Sequence, residues 1–295
     1  MKMIRTNIIG GLGNQMFQYA VGRALALRHN VQLELDISWF SSPMVGCTKR
    51  NFLLTAFPKI YSAKDISFYD DTSNVLWKKF LRNIASHFMY NLPVFVQPNF
   101  AYWPQIQNIT PPASLVGYWQ SEKFFSSHAE QIRQDFAFPS LPAGPATYLA
   151  QKIKDTPNSV SLHIRRGDYI HNPEIQSVHG NISFEYYEQA LSYIKNRYGV
   201  TNIFIFSDDP SWVKKNFNCC GHKKNIVNLS LPEYPYHEMH LMALCKHHII
   251  ANSTFSWWGA WLGKQNGLTI APSKWFSQKD MEEYQDIYCT NWVIL

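Results

Sequence analysis

Several features that would place this chain quickly are missing from it. There is no C-x-x-C pair, and the five cysteines (Cys47, Cys219, Cys220, Cys245 and Cys289) are odd in number, scattered, and include an adjacent pair. That pattern excludes a disulfide framework and fits buried thiols in a reducing compartment. No uninterrupted run of 18 apolar residues occurs, and the N-terminus lacks the basic, apolar and small-residue order of a signal peptide. A soluble cytoplasmic protein is expected. The G-x-x-x-x-G-K-[ST] of a Walker phosphate cradle is missing, as is any Asp-x-Asp pair that would hold a divalent ion against a sugar nucleotide. Charge of one sign is also scarce. The 27 basic and 21 acidic residues leave a net +6, which calls for no nucleic-acid partner and no membrane-binding patch, and suits a small anionic ligand.

What is present is core-forming. In 295 residues, 46% are apolar and 15% aromatic, enough for one large domain or two modest ones. Met3 to Ile9 reads as a strand, Asn14 to His29 carries apolar residues at helical spacing, and VQLELDI from Val31 reads as a second strand. From about Ser41 to Gln107 aromatics and prolines break the pattern into short helices and loops. LVGYWQSEKFF, from Leu115, begins as a strand and opens a helix ending near Phe138. The run PSLPAGP, Pro139 to Pro145, is the best linker candidate. Domains are therefore expected at 1–140 and 141–295, with a last helix able to pack back on the first domain.

After the linker, strands and helices alternate cleanly. Strands are expected at Ser159–Ile164, Asn202–Ser207, Asn225–Ser230, His248–Asn252 and in GLTIAP. The intervening helices are Ser183–Tyr198, SWVKKNF, HEMHLMALCKH and TFSWWGAWLGK. Alternation of this kind implies a doubly wound parallel sheet, and two such units around a linker give two facing Rossmann-like domains.

Ligands of parallel sheets collect at the carboxyl ends of the strands, and each polar motif here lies at such an end. HIRRGDY places His163 at the end of one strand and Arg165, Arg166 and Asp168 on the loop after it. Neighbouring side chains of an extended segment point to opposite faces, so one arginine can meet a phosphate while the other pairs with neighbours. A surface ion pair between Arg166 and Asp168 is the plainer alternative. FSDDPS puts Asp208 and Asp209 at the next strand end, where a carboxylate can accept from guanine or ribose, or cap the following helix. In NSTFSWWGAW, Ser253, Thr254 and Ser256 fall at a helix start, where N–H groups and hydroxyls favour negative charge. The alternative there is N-capping by Ser253 or Thr254, with Phe255 and the tryptophans as core. HLMALCKHH, with His240, Cys245, His247 and His248, reads as satisfied core and not as a metal site.

GGLGNQM offers Gly11 and Gly13 of a dinucleotide fingerprint, and Asp36 ends the second strand as a ribose-binding acid would, but Met16 stands at the third glycine position. The other reading is a bare turn that lets Asn14 and Gln15 reach across a cleft.

Taken in order, GGLGNQMFQ, GYWQSEKFF, HIRRGDY, FSDD and LMALCKHHIIANSTFSWWGAWL resemble the motif series of the bacterial α-1,2-fucosyltransferases, glycosyltransferase family 11, over Ile8 to about Trp275. The resemblance implies a GT-B type α/β fold: two facing Rossmann-like domains with an inter-domain cleft. GDP-β-L-fucose would be held mainly by the C-terminal domain, and fucose passed to the 2-hydroxyl of a terminal galactose in an oligosaccharide acceptor, with no metal or other cofactor. The family's H-x-R-R-x-D motif falls on His163, Arg165, Arg166 and Asp168. Similarity to the wider α-1,6- and protein O-fucosyltransferases would put Arg165 on the β-phosphate, Asp208 on the nucleoside, Thr254 and Phe255 at the phosphates and Asn14 at the reacting centre. Gly13, Asp209, Ser253 and Ser256 complete the implied donor-binding set. Such an enzyme could sit peripherally at the inner membrane face, where its glycan precursors are carried.

An inverting transfer needs a base near the acceptor hydroxyl. Asp168 is the first candidate and His179 the alternate. Three other readings stay open: a fucosyltransferase of different linkage, an NAD-dependent oxidoreductase built on Gly10 to Gly13, and a non-catalytic carbohydrate-binding protein using its 10 Trp and 16 Tyr as stacking platforms.

Overall fold

In the computed structural model, which describes residues 2–41, 50–70, 92–166, 182–199, 201–277 and 280–295, the opening apolar run forms strand β1 (Met3–Asn7). The glycine turn that follows leads into helix α1 (Leu12–His29), and β2 (Gln32–Asp36) lies parallel beside β1. Strands β3 (Ile66–Tyr69), β4 (Val94–Val96) and β5 (Ala113–Val116) complete a parallel sheet of order β3-β2-β1-β5-β4. The strand expected from Leu115 thus begins earlier and stops at Val116. Beyond it two short 3-10 turns precede helix α2 (Ala129–Asp135), where one continuous helix was expected.

Helix α1 is buried on nearly every side, because β1 and β2 cover one face and the 54–56 and 122–135 segments cover others. Two positions show what this demands. At Gly22 a Cβ would fall on Thr6 Oγ1 and lie 2.9 Å from Leu33 Cδ1, so the helix approaches the sheet at glycine distance. At Arg23 a buried charge is neutralised by Asp65 (2.5 Å) and by Asp135 Oδ2 (3.0 Å), which also accepts from the Tyr19 hydroxyl at 2.7 Å.

Two units divide the chain, Met1–Ala137 and Phe138–Leu295. The second opens with helix α3 (Pro145–Lys154), followed by strand β6 (Val160–Ile164), helix α4 (Phe184–Tyr198), strand β7 (Asn202–Ser207) and helix α5 (Pro210–Asn216). Next come β8 (Lys223–Val227), α6 (Tyr236–Leu244), β9 (His247–Ile249), α7 (Thr254–Trp261), β10 (Thr269–Ala271) and β11 (Val293–Ile294). All pair in parallel, in the order β11-β10-β9-β6-β7-β8. After β10 the described residues hold only 3-10 turns and β11, so no last helix is found there to pack back on the first unit. The doubly wound α/β character expected from the sequence, with a parallel sheet in each half, is present; these are the components of a GT-B fold.

The two strand orders fix where ligands can sit. In the second sheet the chain runs from β6 outward through β7 to β8, then returns to the other side of β6 to lay down β9. The reversal falls between β6 and β9, and the carboxyl ends of those strands form its crevice. In the first sheet the corresponding reversal lies between β1 and β5.

Candidate active site

Arg165 and Arg166 leave the end of β6 in different directions, as the extended backbone requires. Arg165 Nη1 donates to Ser253 Oγ at 3.3 Å, crossing the strand reversal from the end of β6 to the segment after β9. Ser253 occupies the N-cap position of α7 with extended backbone, yet its side chain makes no capping bond. The N–H groups of the first turn are therefore not closed by that hydroxyl, and together with the guanidinium they form a donor-rich, electropositive spot. Phe255 and Thr254 are half-buried at this turn. Ser256 is buried, and its hydroxyl is turned back to Ser253 O at 3.3 Å, so a role for Ser256 in holding a ligand falls to its N–H.

Arg166 turns to the β7 side. Its backbone N–H donates to Asp208 Oδ1 at 2.8 Å, its guanidinium lies 3.5 Å above the Trp212 ring, and Asp209 Oδ2 is 3.9 Å from its Nε. Asp209 caps α5 by accepting from Trp212 N–H at 2.9 Å, so the capping alternative holds for Asp209 while Asp208 ties the two strand ends together. Arg165, Arg166, Phe184 and Trp212 border a small cavity of about 120 Å³. The ion pair considered between Arg166 and Asp168 involves a residue outside the described ones; so does the base role of Asp168 and of His179.

His163 sits under this layer with its ring 5.9 Å from that of Phe255. Burial, and then the nearby Arg165 charge, push its pKa down to about 3, and its Nδ1 has no hydrogen-bond partner. It is a neutral imidazole at working pH and supports the site from below. A second, larger cavity of about 550 Å³, which no motif announces, lies at the ends of β9 and β10, bordered by Glu185, Tyr186, Gln189, Asn252, Ser273 and Lys274. Its residues are dispersed along the chain and carry no motif. The tryptophans of α7 are core: Trp257 and Trp258 are fully buried, and Trp257 Nε1 donates to Ile287 O at 2.6 Å. The histidines of the 240–248 segment are likewise packed, His248 Nδ1 against Ser161 Oγ at 2.8 Å and His240 stacked on Phe138.

In the first unit the GGLGNQMFQ stretch holds three amides, two bound to backbone groups and one that is not. Gln15 is buried, donating from Nε2 to Gly10 O and Asn51 O and accepting from Leu53 N–H, all within 2.8–2.9 Å. It holds the turn in shape and cannot reach out to a ligand, contrary to the expectation that it would. Gln18 is spent similarly, accepting from Ile9 N–H and donating to Gly117 O. Asn14 differs: Oδ1 accepts from Gln120 Nε2 at 3.0 Å, and among the described residues nothing engages its Nδ2. Gly10, at φ +78°, leaves room for that amide, since a Cβ there would stand 3.1 Å from Asn14 Nδ2. Gly13 lies within the first turn of α1, so the glycines do not form the open cradle of a dinucleotide site. Gln120 was passed over in the sequence, because its link to Asn14 spans 106 positions.

The family model for glycosyl transferase family 11 matches residues 1–295. The chain belongs to glycosyltransferase family 11. Among curated relatives of this family 11 chain, an Escherichia coli alpha-1,2-colitosyltransferase is 33% identical over 287 residues, covering 96% of each chain. The E. coli O-antigen biosynthesis glycosyltransferase WbnK is 35% identical, covering 91% of this chain and 93% of its own. The bovine galactoside alpha-(1,2)-fucosyltransferase 2 is 24% identical over 90% of this chain and 70% of its own. Membership makes the chain a glycosyltransferase related to fucosyltransferases and removes the oxidoreductase reading of GGLGNQM. Among the described residues no helix is long and apolar enough to cross a membrane.

Proposed function

We propose that this family 11 glycosyltransferase moves L-fucose from GDP-β-L-fucose to the 2-hydroxyl of a terminal galactose, with inversion to an α-1,2 linkage. The observation that carries the reading is the Arg165 to Ser253 bond beside the uncapped first turn of α7. It gathers positive charge at the reversal of a doubly wound sheet, where a diphosphate is at home. In the reaction the acceptor oxygen attacks the anomeric carbon as the bond from that carbon to the β-phosphate oxygen breaks. The acceptor proton passes to a base, and the negative charge growing on the departing GDP is met by Arg165 and the N–H groups of residues 254–256. Asp208 is assigned to the nucleoside, and Asn14 to a hydroxyl of the fucose or the acceptor through Nδ2. Arginine and the helix start do the neutralising that a divalent ion does in other transferases, so no metal is assigned. The relationship to O-antigen and galactoside enzymes supports a glycan acceptor.

The colitosyl relative favours a second donor. Colitose is fucose lacking the 3-hydroxyl, and GDP-colitose would present the same diphosphate and nucleoside. Incubation with GDP-fucose or GDP-colitose and a panel of galactosides, with and without chelator, tests both readings. GDP release that requires acceptor, an α-1,2-linked product and no loss with chelator are expected. GDP-colitose turned over in preference to GDP-fucose would replace the donor, and no GDP release with either would overturn the reading.

A further inference from the structure

Resting on that transferase reading, we infer that Gln120 is a positioning residue, setting the Asn14 carboxamide so that its NH2 group, and not its oxygen, is presented to the substrate. The two residues meet across the strand reversal of the first sheet, Asn14 in the first turn of α1 that follows β1 and Gln120 four residues past the end of β5. An amide side chain donates at one end and accepts at the other, so occupying Oδ1 decides which end is left outward. Gln120 is buried and donates to Oδ1, which leaves Nδ2, beside Gly10, as the donor with no partner among the described residues.

The segment bearing Gln120 is held more firmly than a loop needs to be. Trp119 has a left-handed backbone, φ +55°, with its ring fully buried against Trp103 and Phe124. A bulky residue in that conformation persists only where its surroundings over-determine it, and such strain gathers at functional sites. Here Gln97 Oε1 accepts the N–H groups of both Tyr118 and Trp119, at 3.0 and 2.8 Å, and Gln18 Nε2 holds Gly117 O at 3.2 Å. Gly117 is required for the clamp to close, since a Cβ there would stand 2.5 Å from Gln97 Cβ. At the end of this corner Gln120 spends its donor on Asn14 while its own Oε1 stays buried without a partner. Gln97 Nε2 and Trp119 Nε1 in the same corner are likewise buried without a partner, and what sets Gln120 apart is that its side-chain donor is spent on Asn14. The gain is the fixed orientation of Asn14.

The test is Gln120→Glu, which keeps the volume but exchanges the donor for a carboxylate. That carboxylate would accept from Asn14 Nδ2 and reverse the amide. Expected is a fall in kcat of about 10²-fold, as for a reacting group out of place, with the KM for GDP-fucose unchanged. Relative to the parent at the same pH, part of the rate should return toward acid pH, where the protonated carboxyl can donate again, and no further loss should appear when the change is added to Asn14→Ala. Additive losses in the double variant, or an unchanged kcat, would overturn the inference. So would a pH-independent loss that tracks a lowered Tm. If the unmodified chain transfers no sugar, the functional reading fails first and the inference with it; an active parent with additive losses sinks the inference alone.

Discussion

The Ser253 hydroxyl accepts from Arg165 Nη1 at 3.3 Å instead of capping the helix whose N-cap position it occupies. A serine at an N-cap ordinarily satisfies an N–H of its own first turn. Its diversion joins a fixed cation to helix-start donors in one place, an electropositive arrangement.

Arg165→Ala should therefore remove about 10²- to 10³-fold of the transfer rate, the usual consequence of losing one preorganised donor. The far-UV circular dichroism and the thermal midpoint should stay those of the parent. Near-normal turnover by the variant would dissociate Arg165 from the leaving group.

The pH-rate profile should carry an acidic limb from the base, and His163, held neutral with its pKa near 3 by burial, cannot supply a limb near neutrality. Comparing Asp168→Asn with His179→Gln identifies the base: the variant that lacks it loses the limb along with most of the rate. If both variants keep the parent profile, the base is a different group.

Asn14→Ala is expected to lower transfer far more than GDP affinity measured by titration calorimetry, because the proposed function assigns its Nδ2 to sugar or acceptor. Equal losses of turnover and GDP affinity would return the glycine turn to a nucleotide-holding role.

Acid should loosen the second unit. His163 and His248 are buried and neutral, each with its pKa pushed to about 3 chiefly by desolvation. In the unfolded chain a histidine titrates near 6.5. Between those values the unfolded state binds protons that the folded state does not. The stability is full above about pH 6.5 and is lost as pH falls toward 3. Urea midpoints should drop from pH 7.5 to pH 5, and His248→Asn should flatten that dependence even if it lowers the midpoint overall. Identical midpoints for the parent at both pH values would contradict this.

Gly22→Ala places a methyl against Thr6 and Leu33 and should cost about 1–3 kcal/mol in stability through overpacking, read as a lower denaturation midpoint. Adding Thr6→Ala should recover part of the loss, because its hydroxyl is the nearest obstacle.

The readable parts of the sequence were those where an element is covered on both faces and bounded sharply. NIFIFS announces β7 by its unbroken apolar run Ile203–Phe206, SVSLHI announces β6 by Val160, Leu162 and Ile164 at alternate positions, and the polar residues behind them mark the strand ends that bear the candidate site. Short edge elements such as β3, β4 and β11 were invisible, because two to four residues establish no period. The 50–70 region, read as irregular, contributes Asp65 and the backbone of Asn51 and Leu53 to the burial of α1, which only the folded chain discloses. Motif and spacing pointed to Arg165 and Ser253, which the second unit brings within hydrogen-bond distance, and separately to Asn14 in the first unit. They could not tell Gln15 from Asn14, since two adjacent amides differ only in what surrounds them, nor could they assign a partner 106 positions distant.

The stacked indoles of α7 have one more consequence. Trp257 follows directly on the donors at residues 254–256, with its ring 6.1 Å from Trp261 and 5.5 Å from Trp292. An anion arriving at that turn changes the electric field on a fluorophore already shielded from water. Under the proposed donor binding, the ultraviolet emission of these indoles is expected to report nucleotide occupancy without any attached dye.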